Sequence, residues 1–289
     1  MCEVMGINMK CCEKFSIWSS YDIELSPEDM VLAMERRGLS VCELSDEHAA
    51  VLLARGTDPA EIGRAFKAFA DAHGVSFPQG HLWLKVRLCS GEVDAVAILK
   101  QWITLFSAIG IRNAVLHCDG HSFAEGTSKE EIFHANAEKL AALMPHAKEC
   151  GVRICLENLR GYFCTAEDLL SVICLVGAPE EVLGICLDTG HLNISDSGMT
   201  QEQFINTAGG RLHALHIADN EGKTDQHMMP FGRGNVDWRS VMRGLAAVGY
   251  NDLFNYEIPG ERMAPLAVRD AKAEYLKAVT ACLDSLVGE

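Results

Sequence analysis

Leu183-Gly184-Ile185-Cys186-Leu187-Asp188-Thr189-Gly190-His191 is a short apolar run that ends on an acid and, three residues later, a histidine. A run this apolar suits a strand buried on both faces, as strands of a parallel sheet are. Alone it is ambiguous with a buried helical segment, so its neighbours must arbitrate. Seven further runs of the same kind occur, at Phe15–Tyr21, Ser40–Leu44, Val75–Leu82, Asn113–His117, Val152–Asn158, Leu212–Ile217 and Leu253–Ile258. The segments between them carry helix signals. Ser26-Pro27-Glu28-Asp29 offers an N-cap, a proline at the first helical position and an acidic first turn. Ser128-Lys129-Glu130-Glu131 is a capping box, and Thr165-Ala166-Glu167-Asp168 resembles one. Gly38, Gly74, Gly110 and Gly151 close helices just before the next strand. Ile62, Ala65, Phe66, Phe69 and Ala70 recur at helical spacing and form a core-facing stripe.

Eight strand–helix alternations without a linker or a break in composition predict an α/β fold, a single (β/α)8 TIM barrel spanning residues 1–289. A doubly wound open sheet would place a glycine fingerprint after the first strand, where this chain has Trp18-Ser19-Ser20-Tyr21. Gly232-Arg233-Gly234 comes too late for that role and reads as loop.

The chain holds 25 basic and 40 acidic residues, a formal charge of −15. Such a balance gives no help toward a polyanion, so no nucleic-acid partner is expected. None of the 12 cysteines forms a two-residue-spaced pair, and most lie in apolar runs such as Ile154-Cys155-Leu156. There a thiol acts as a small hydrophobe. Free thiols in this number suit a reducing, cytoplasmic setting. Met1-Cys2-Glu3-Val4 has no charged region followed by an apolar one, so no signal peptide is expected, and no run approaches the roughly 20 residues of a membrane span. A homodimer is the default expectation for the assembly.

A closed barrel gathers the C-terminal ends of its strands at one mouth, where the active site is built. His81, His117, Glu157, Asp188, His216 and Glu257 end strands three to eight. His191 follows Asp188, and the loop after the seventh strand adds Asp225 and His227. Carboxylates and imidazoles without a thiolate suit a divalent metal such as Mn, Co, Mg or Zn, and argue against a structural zinc site. Two carboxylates facing each other across the metal can also exchange a carbon-bound proton.

Other polar residues read as ordinary. His48, His73, His121, His134 and His146 are expected at hydrogen-bonded or surface positions. His213 has the opposite strand parity to His216, and Asp196 and Asp219 read as loop or capping groups. Glu43 ends the second strand, with a mouth position and a solvent-facing one equally balanced. Trp18, Tyr21, Trp83 and Phe231 are candidates for an apolar wall under a ligand, or for plain packing.

Cys155-Leu156-Glu157-Asn158, Gly184 to His191, Leu215-His216-Ile217-Ala218-Asp219-Asn220, the loop from Asp225-Gln226-His227 to Trp238, and Tyr256-Glu257 together resemble the xylose isomerase-like barrel superfamily. That superfamily contains sugar epimerases and isomerases, inosose dehydratases and the endonuclease IV group. The resemblance implies a metal held by Glu157, Asp188, His216 and Glu257. It implies that Glu157 and Glu257 move the substrate proton through a metal-stabilised enediolate, and that His191 holds a substrate oxygen. The expected partner is a small sugar. Ketose 3-epimerases of the tagatose-epimerase type carry an arginine shortly after the strand-seven histidine. This chain has Glu221-Gly222-Lys223 there, which leaves Lys223 or Arg233 as the substitute. An endonuclease IV-like tri-zinc phosphodiesterase is the alternative, with His81, His117, Asp225 and His227 as ligands of further ions rather than substrate-facing groups. An inosose dehydratase-like lyase is another.

Overall fold

The structure, a computed structural model, describes residues 11–286; Met1–Val4, read above for a leader, lies outside them. Its strands and α-helices run β1 (Phe15–Ile17), α1 (Pro27–Arg36), β2 (Val41–Leu44), α2 (Asp46–Leu53), α3 (Pro59–Ala72), β3 (Ser76–His81), α4 (Ala95–Ile109), β4 (Asn113–His117) and α5 (Lys129–Cys150). They continue through β5 (Arg153–Glu157), α6 (Ala166–Val176), β6 (Leu183–Asp188), α7 (Thr189–Asn193), α8 (Gln201–Ala208), β7 (Leu212–His216), α9 (Trp238–Val248), β8 (Phe254–Tyr256) and α10 (Leu266–Ser285).

Every strand pairing is parallel. β2 to β7 are hydrogen-bonded in sequence order, and β1 pairs with β8 through Phe15↔Phe254, Ser16↔Asn255 and Ile17↔Tyr256. Parallel bridges Trp18↔Glu43 and Ile217↔Tyr256 join the two groups of strands and close the barrel. The expected closed (β/α)8 architecture is therefore present.

The helix starts follow the sequence signals. Ser26 accepts from the Asp29 amide, and capping boxes form at Ser128/Glu131 and Thr165/Asp168. Each such cap contributes about 1 kcal/mol. A further box forms at Thr200/Gln203. The first strand is shorter than the expected Phe15–Tyr21, because Ser19–Asp22 turns into a 3-10 helix. Ser19 Oγ bonds Ser45 Oγ and Ser20 Oγ bonds Glu47, side-chain partners that compete with a strand ladder. The eighth strand likewise narrows to Phe254–Tyr256.

Strand alternation divides the chain between two layers. Leu156, Ile185, Leu187 and Leu215 point outward into the large core shared with the helices, each fully buried. Val115, Cys155, Cys186 and Ala214 form a separate small cluster inside the barrel. Two residues on along the same strands come His117, Glu157, Asp188 and His216, so these small side chains make the floor under the mouth. The described cysteine side chains, Cys155 and Cys186 among them, are free thiols. No helix among the described residues is long and apolar enough to cross a membrane.

Candidate metal centre

Glu157, Asp188, His216 and Glu257, from β5, β6, β7 and the end of β8, bring one potential ligand atom each to within 4.8 Å of one another. All four are buried. His216 Nδ1 lies 3.3 Å from both Glu157 Oε2 and Glu257 Oε2, close but off the hydrogen-bond axis. Asp188 Oδ2, His216 Nδ1 and Glu257 Oε2 have no hydrogen-bond partner although they are buried. Unsatisfied buried polar atoms are costly and rare. Three of them converging in a hard-oxygen-plus-imidazole donor set fit a divalent cation.

The local sequence shows how each ligand is aimed. Asn158 clamps the end of β6, its Nδ2 donating to the Asp188 carbonyl and its Oδ1 accepting from the Asp188 amide. Asp188 caps α7 by accepting from the His191 amide at 2.6 Å. Thr189 Oγ1 donates to the Ala218 carbonyl and accepts from the Ala218 amide, tying the β6 turn to the end of β7. Gly190 leaves room for this packing, since a Cβ there would crowd Asn220 Nδ2 at 3.0 Å and Asp188 Oδ1 at 3.2 Å.

Around this core the remaining histidines form two sets. His117 Nε2 and His81 Nε2 face Glu157 Oε2 at 3.0 and 3.4 Å. His191 Nε2 and His227 Nε2 share Asp225 Oδ2 at 3.2 and 3.0 Å, while His191 Nδ1 lies 3.1 Å from Glu157 Oε1. His227 Nδ1 donates to the Glu257 carbonyl at 2.7 Å and is held at φ 45°, a strained backbone of the kind found at functional sites.

Charge is distributed unevenly. Burial disfavours ionisation of Glu157, yet His216 and His117 outweigh it and hold the carboxyl well below its usual range. Burial, reinforced by Glu157 and Asp188, pushes Glu257 up to about 8 even against His216 and His227. Burial opposes the charge on His191 too, but Asp188, Asp225 and Glu157 raise it to about 12. His216 is likewise raised well above its ordinary value by Glu43, Glu257 and Glu157, among others, against burial. An incoming cation must displace protons from Glu257 and His216. Divalent-metal affinity is therefore expected to rise between about pH 6 and pH 8, by roughly tenfold per unit for each proton displaced. Metal titrations at three pH values check this; a flat affinity would contradict it.

Glu43, balanced in the sequence between mouth and solvent, is fully buried inside the barrel. Its Oε1 faces His216 Nε2 at 3.1 Å, and its Oε2 accepts from Gln79 Nε2 at 2.9 Å and from Asn255 Nδ2. Asn255 Oδ1 in turn accepts from Ser16 Oγ. A carboxylate behind a histidine fixes its tautomer and leaves Nδ1 as the donor toward a metal. Glu43→Gln is expected to weaken metal affinity about 10–100-fold. Competitive metal titration reads this, and an unchanged affinity would show that His216 holds its orientation without Glu43.

Among the other expectations, His48 is a satisfied core histidine, bonded to Ser19 Oγ and the Leu25 carbonyl. His213 pairs with Asp252 and Glu180, away from the cluster. Asp219 organises the β7–α9 loop, accepting from the Val236 amide and Trp238 Nε1. Gly234 packs directly on Asp219, where a Cβ would come within 2.1 Å. Arg233 is 77% exposed and 3.9 Å from Glu221, and Lys223 is exposed as well. Tyr21 is buried with its hydroxyl on the Arg269 carbonyl, and Trp83 stacks on Trp102 at 5.7 Å, so both serve packing. Trp18 stacks on His227, with ring centroids 6.3 Å apart, and Phe231 is exposed.

Residues 32–279, most of the chain, match the xylose isomerase-like TIM barrel family. The chain belongs to that family. Among its curated relatives, a fructoselysine 3-epimerase of Escherichia coli O157:H7 is 30% identical over 138 residues, 46% of this chain and 48% of that protein. An L-ribulose 3-epimerase of Mesorhizobium japonicum is 28% identical over 167 residues, 56% and 53% of the two chains. The chain thus spans about half the length of the curated relatives it matches. The fold is shared with D-psicose 3-epimerase from Clostridium cellulolyticum H10, solved with D-tagatose, at 18% identity and a TM-score of 0.76 over 93% of this chain and 99% of that one. In this xylose isomerase-like barrel, then, every strand from β5 to β8 presents a candidate ligand at its C-terminal end.

Proposed function

We propose that residues 1–289 act as one domain, a divalent-metal-dependent sugar isomerase or epimerase in which Glu157 and Glu257 transfer the substrate proton. The carrying observation is the convergence of these two glutamates with Asp188 and His216 on one point of the mouth. The two curated relatives described above, both 3-epimerases, support the substrate class. When bound, a divalent ion polarises substrate oxygens and acidifies the C–H between them.

The side chains supply the rest. Glu157 and Glu257 come from strands separated by β6 and β7, so they approach a bound substrate from different sides. In the ion-free protein they also have opposed proton preferences, Glu157 held ionised and Glu257 raised to about 8. Pairs of carboxyls pushed apart in this way divide into acid and base. His191 Nδ1 donates to the Asn158 carbonyl and its Nε2 meets Asp225, so in this reading it turns Nε2–H from Asp225 to a substrate oxygen. Return of the proton by the opposite glutamate inverts the carbon; return to the neighbouring carbon isomerises aldose and ketose. Expulsion of a neighbouring hydroxyl instead would give the dehydratase outcome. The free thiols support a cytoplasmic setting.

The test is incubation of the Mn²⁺-loaded protein with a ketose panel in D₂O. Deuterium is expected to appear at the carbon beside the carbonyl, together with the epimer or isomer. No exchange with any ketose, under Mn²⁺, Co²⁺, Mg²⁺ or Zn²⁺, would sink the reading. The tri-zinc phosphodiesterase alternative draws on the histidine pairs at Glu157 and Asp225. Among the described residues, however, the two convergent ligand groups share Glu157 and His216, and neither includes Asp225. About three zinc ions per chain with cleavage of abasic-site DNA would reverse the ordering.

A further inference from the structure

A cleft of about 360 Å³ opens beside the metal cluster, bounded on its inner side by His117, His191 and Asp225 and further out by Arg87, His121 and Arg160. Two of the inner residues touch Glu157, so the cleft is continuous with the site of proposed chemistry. Its size falls in the range of small-ligand pockets.

Its charges are asymmetric. Asp119 also lines the cleft, but its carboxylate accepts from the amides of Cys89, His121 and Ser122 and from Ser122 Oγ. Asp225 is taken by His191 and His227. Arg87 and Arg160, in contrast, have no acidic partner among the described residues and are exposed to the cleft. What sets them apart is their placement: Arg36, Arg37, Arg55, Arg243 and Arg269 are engaged by aspartate or glutamate, whereas Arg87 and Arg160 both line this cleft. Two unpaired guanidiniums from different loops, after β3 and after β5, meet at one cleft. The planar fork of arginine matches carboxylate and phosphate oxygens.

We propose that this cleft binds an anionic substituent of the substrate, a phosphate or carboxylate carried away from the reacting carbons, through Arg87 and Arg160. The proposal deepens the sugar-epimerase reading and rests on it. It places anion recognition after strands three and five, rather than after strands seven and eight where barrels commonly hold phosphate.

The experiment compares binding of D-fructose, D-fructose 6-phosphate and D-fructuronate to the metal-loaded protein, with Arg87→Met/Arg160→Met alongside. Methionine keeps an apolar stem while removing the charge. At least one anionic ketose is expected to bind more tightly than D-fructose by about tenfold or more, and whichever it is names the anion. The anionic-to-neutral ratio should collapse toward one in the double variant and should shrink with salt in the wild type. A thermal melt confirms that the variant is folded. Equal affinity for all three ketoses, or a ratio that survives in the double variant, overturns the proposal. Deuterium exchange read in the same samples keeps the two ideas apart. Exchange without an anionic preference removes the anion site and leaves the epimerase reading, whereas an arginine-dependent preference with no exchange from any ketose of the wider panel keeps the anion site and removes the epimerase reading.

Discussion

Glu157→Gln and Glu257→Gln should each reduce epimerisation by at least about 10³-fold, the upper range for loss of a general acid–base group, with the fold retained. The reason lies in the geometry. The two carboxylates reach the mouth from β5 and from the end of β8, and each can serve only the proton on its own side of a substrate. Isotope exchange should therefore fail asymmetrically. With one glutamate removed, the other can still take a proton from the epimer that faces it, exchange it with solvent and return it to the same face. Each single variant is expected to wash deuterium into one epimer and not the other, and the two variants should show complementary patterns. Glutamine retains an oxygen donor, so metal content is measured in parallel to separate loss of the ion from loss of the base. Epimerisation within about tenfold of wild type in a variant that has lost its carboxylate would rule out a two-glutamate mechanism.

The legibility of these residues in the sequence follows from strand periodicity. Each of Glu157, Asp188 and His216 terminates a run whose burial is nearly complete, and a closed barrel leaves the end of such a run only one place to go. Helix boundaries were readable for a similar reason, because caps are local. Glu43 was not resolvable in that way. Its burial depends on Gln79, Asn255 and His216, which lie 36, 212 and 173 residues away, and no local pattern announces such partners. Lys223 and Arg233 are harder to read from either side. Nearness in sequence to β7 suggested a site role, but the loop is organised by Asp219 against Gly234, and Arg233 turns to solvent beside Glu221. Arg87 and Arg160 carry no periodic signal, and only the barrel brings their loops to one cleft.

Removal of the bound ion should abolish turnover and also destabilise the fold. Asp188, Glu157 and Glu257 place three carboxyls in a buried cluster, and the ion-free protein accommodates them by keeping Glu257 up to about 8 and His216 protonated beside them. Buried charge without full pairing is expensive, and three unsatisfied polar atoms add to the cost. A dication would relieve both at once, and would therefore bind the folded chain far better than the unfolded one. At a free-metal concentration of about 100 times Kd the linkage is worth roughly 2.7 kcal/mol. For 289 residues the unfolding entropy is about 0.6 kcal/mol per degree, so chelation should lower the melting temperature by about 4–5 °C. Re-addition of one equivalent of Mn²⁺ or Co²⁺ should restore both activity and melting temperature. One ion per chain is the expected stoichiometry, because the donors at Glu157, Asp188, His216 and Glu257 surround a single point. Recovery that saturates only at about three equivalents would place further ions at the His81/His117 and His191/His227 pairs, and a melting temperature indifferent to chelation would mean that the four buried donors are satisfied without a metal.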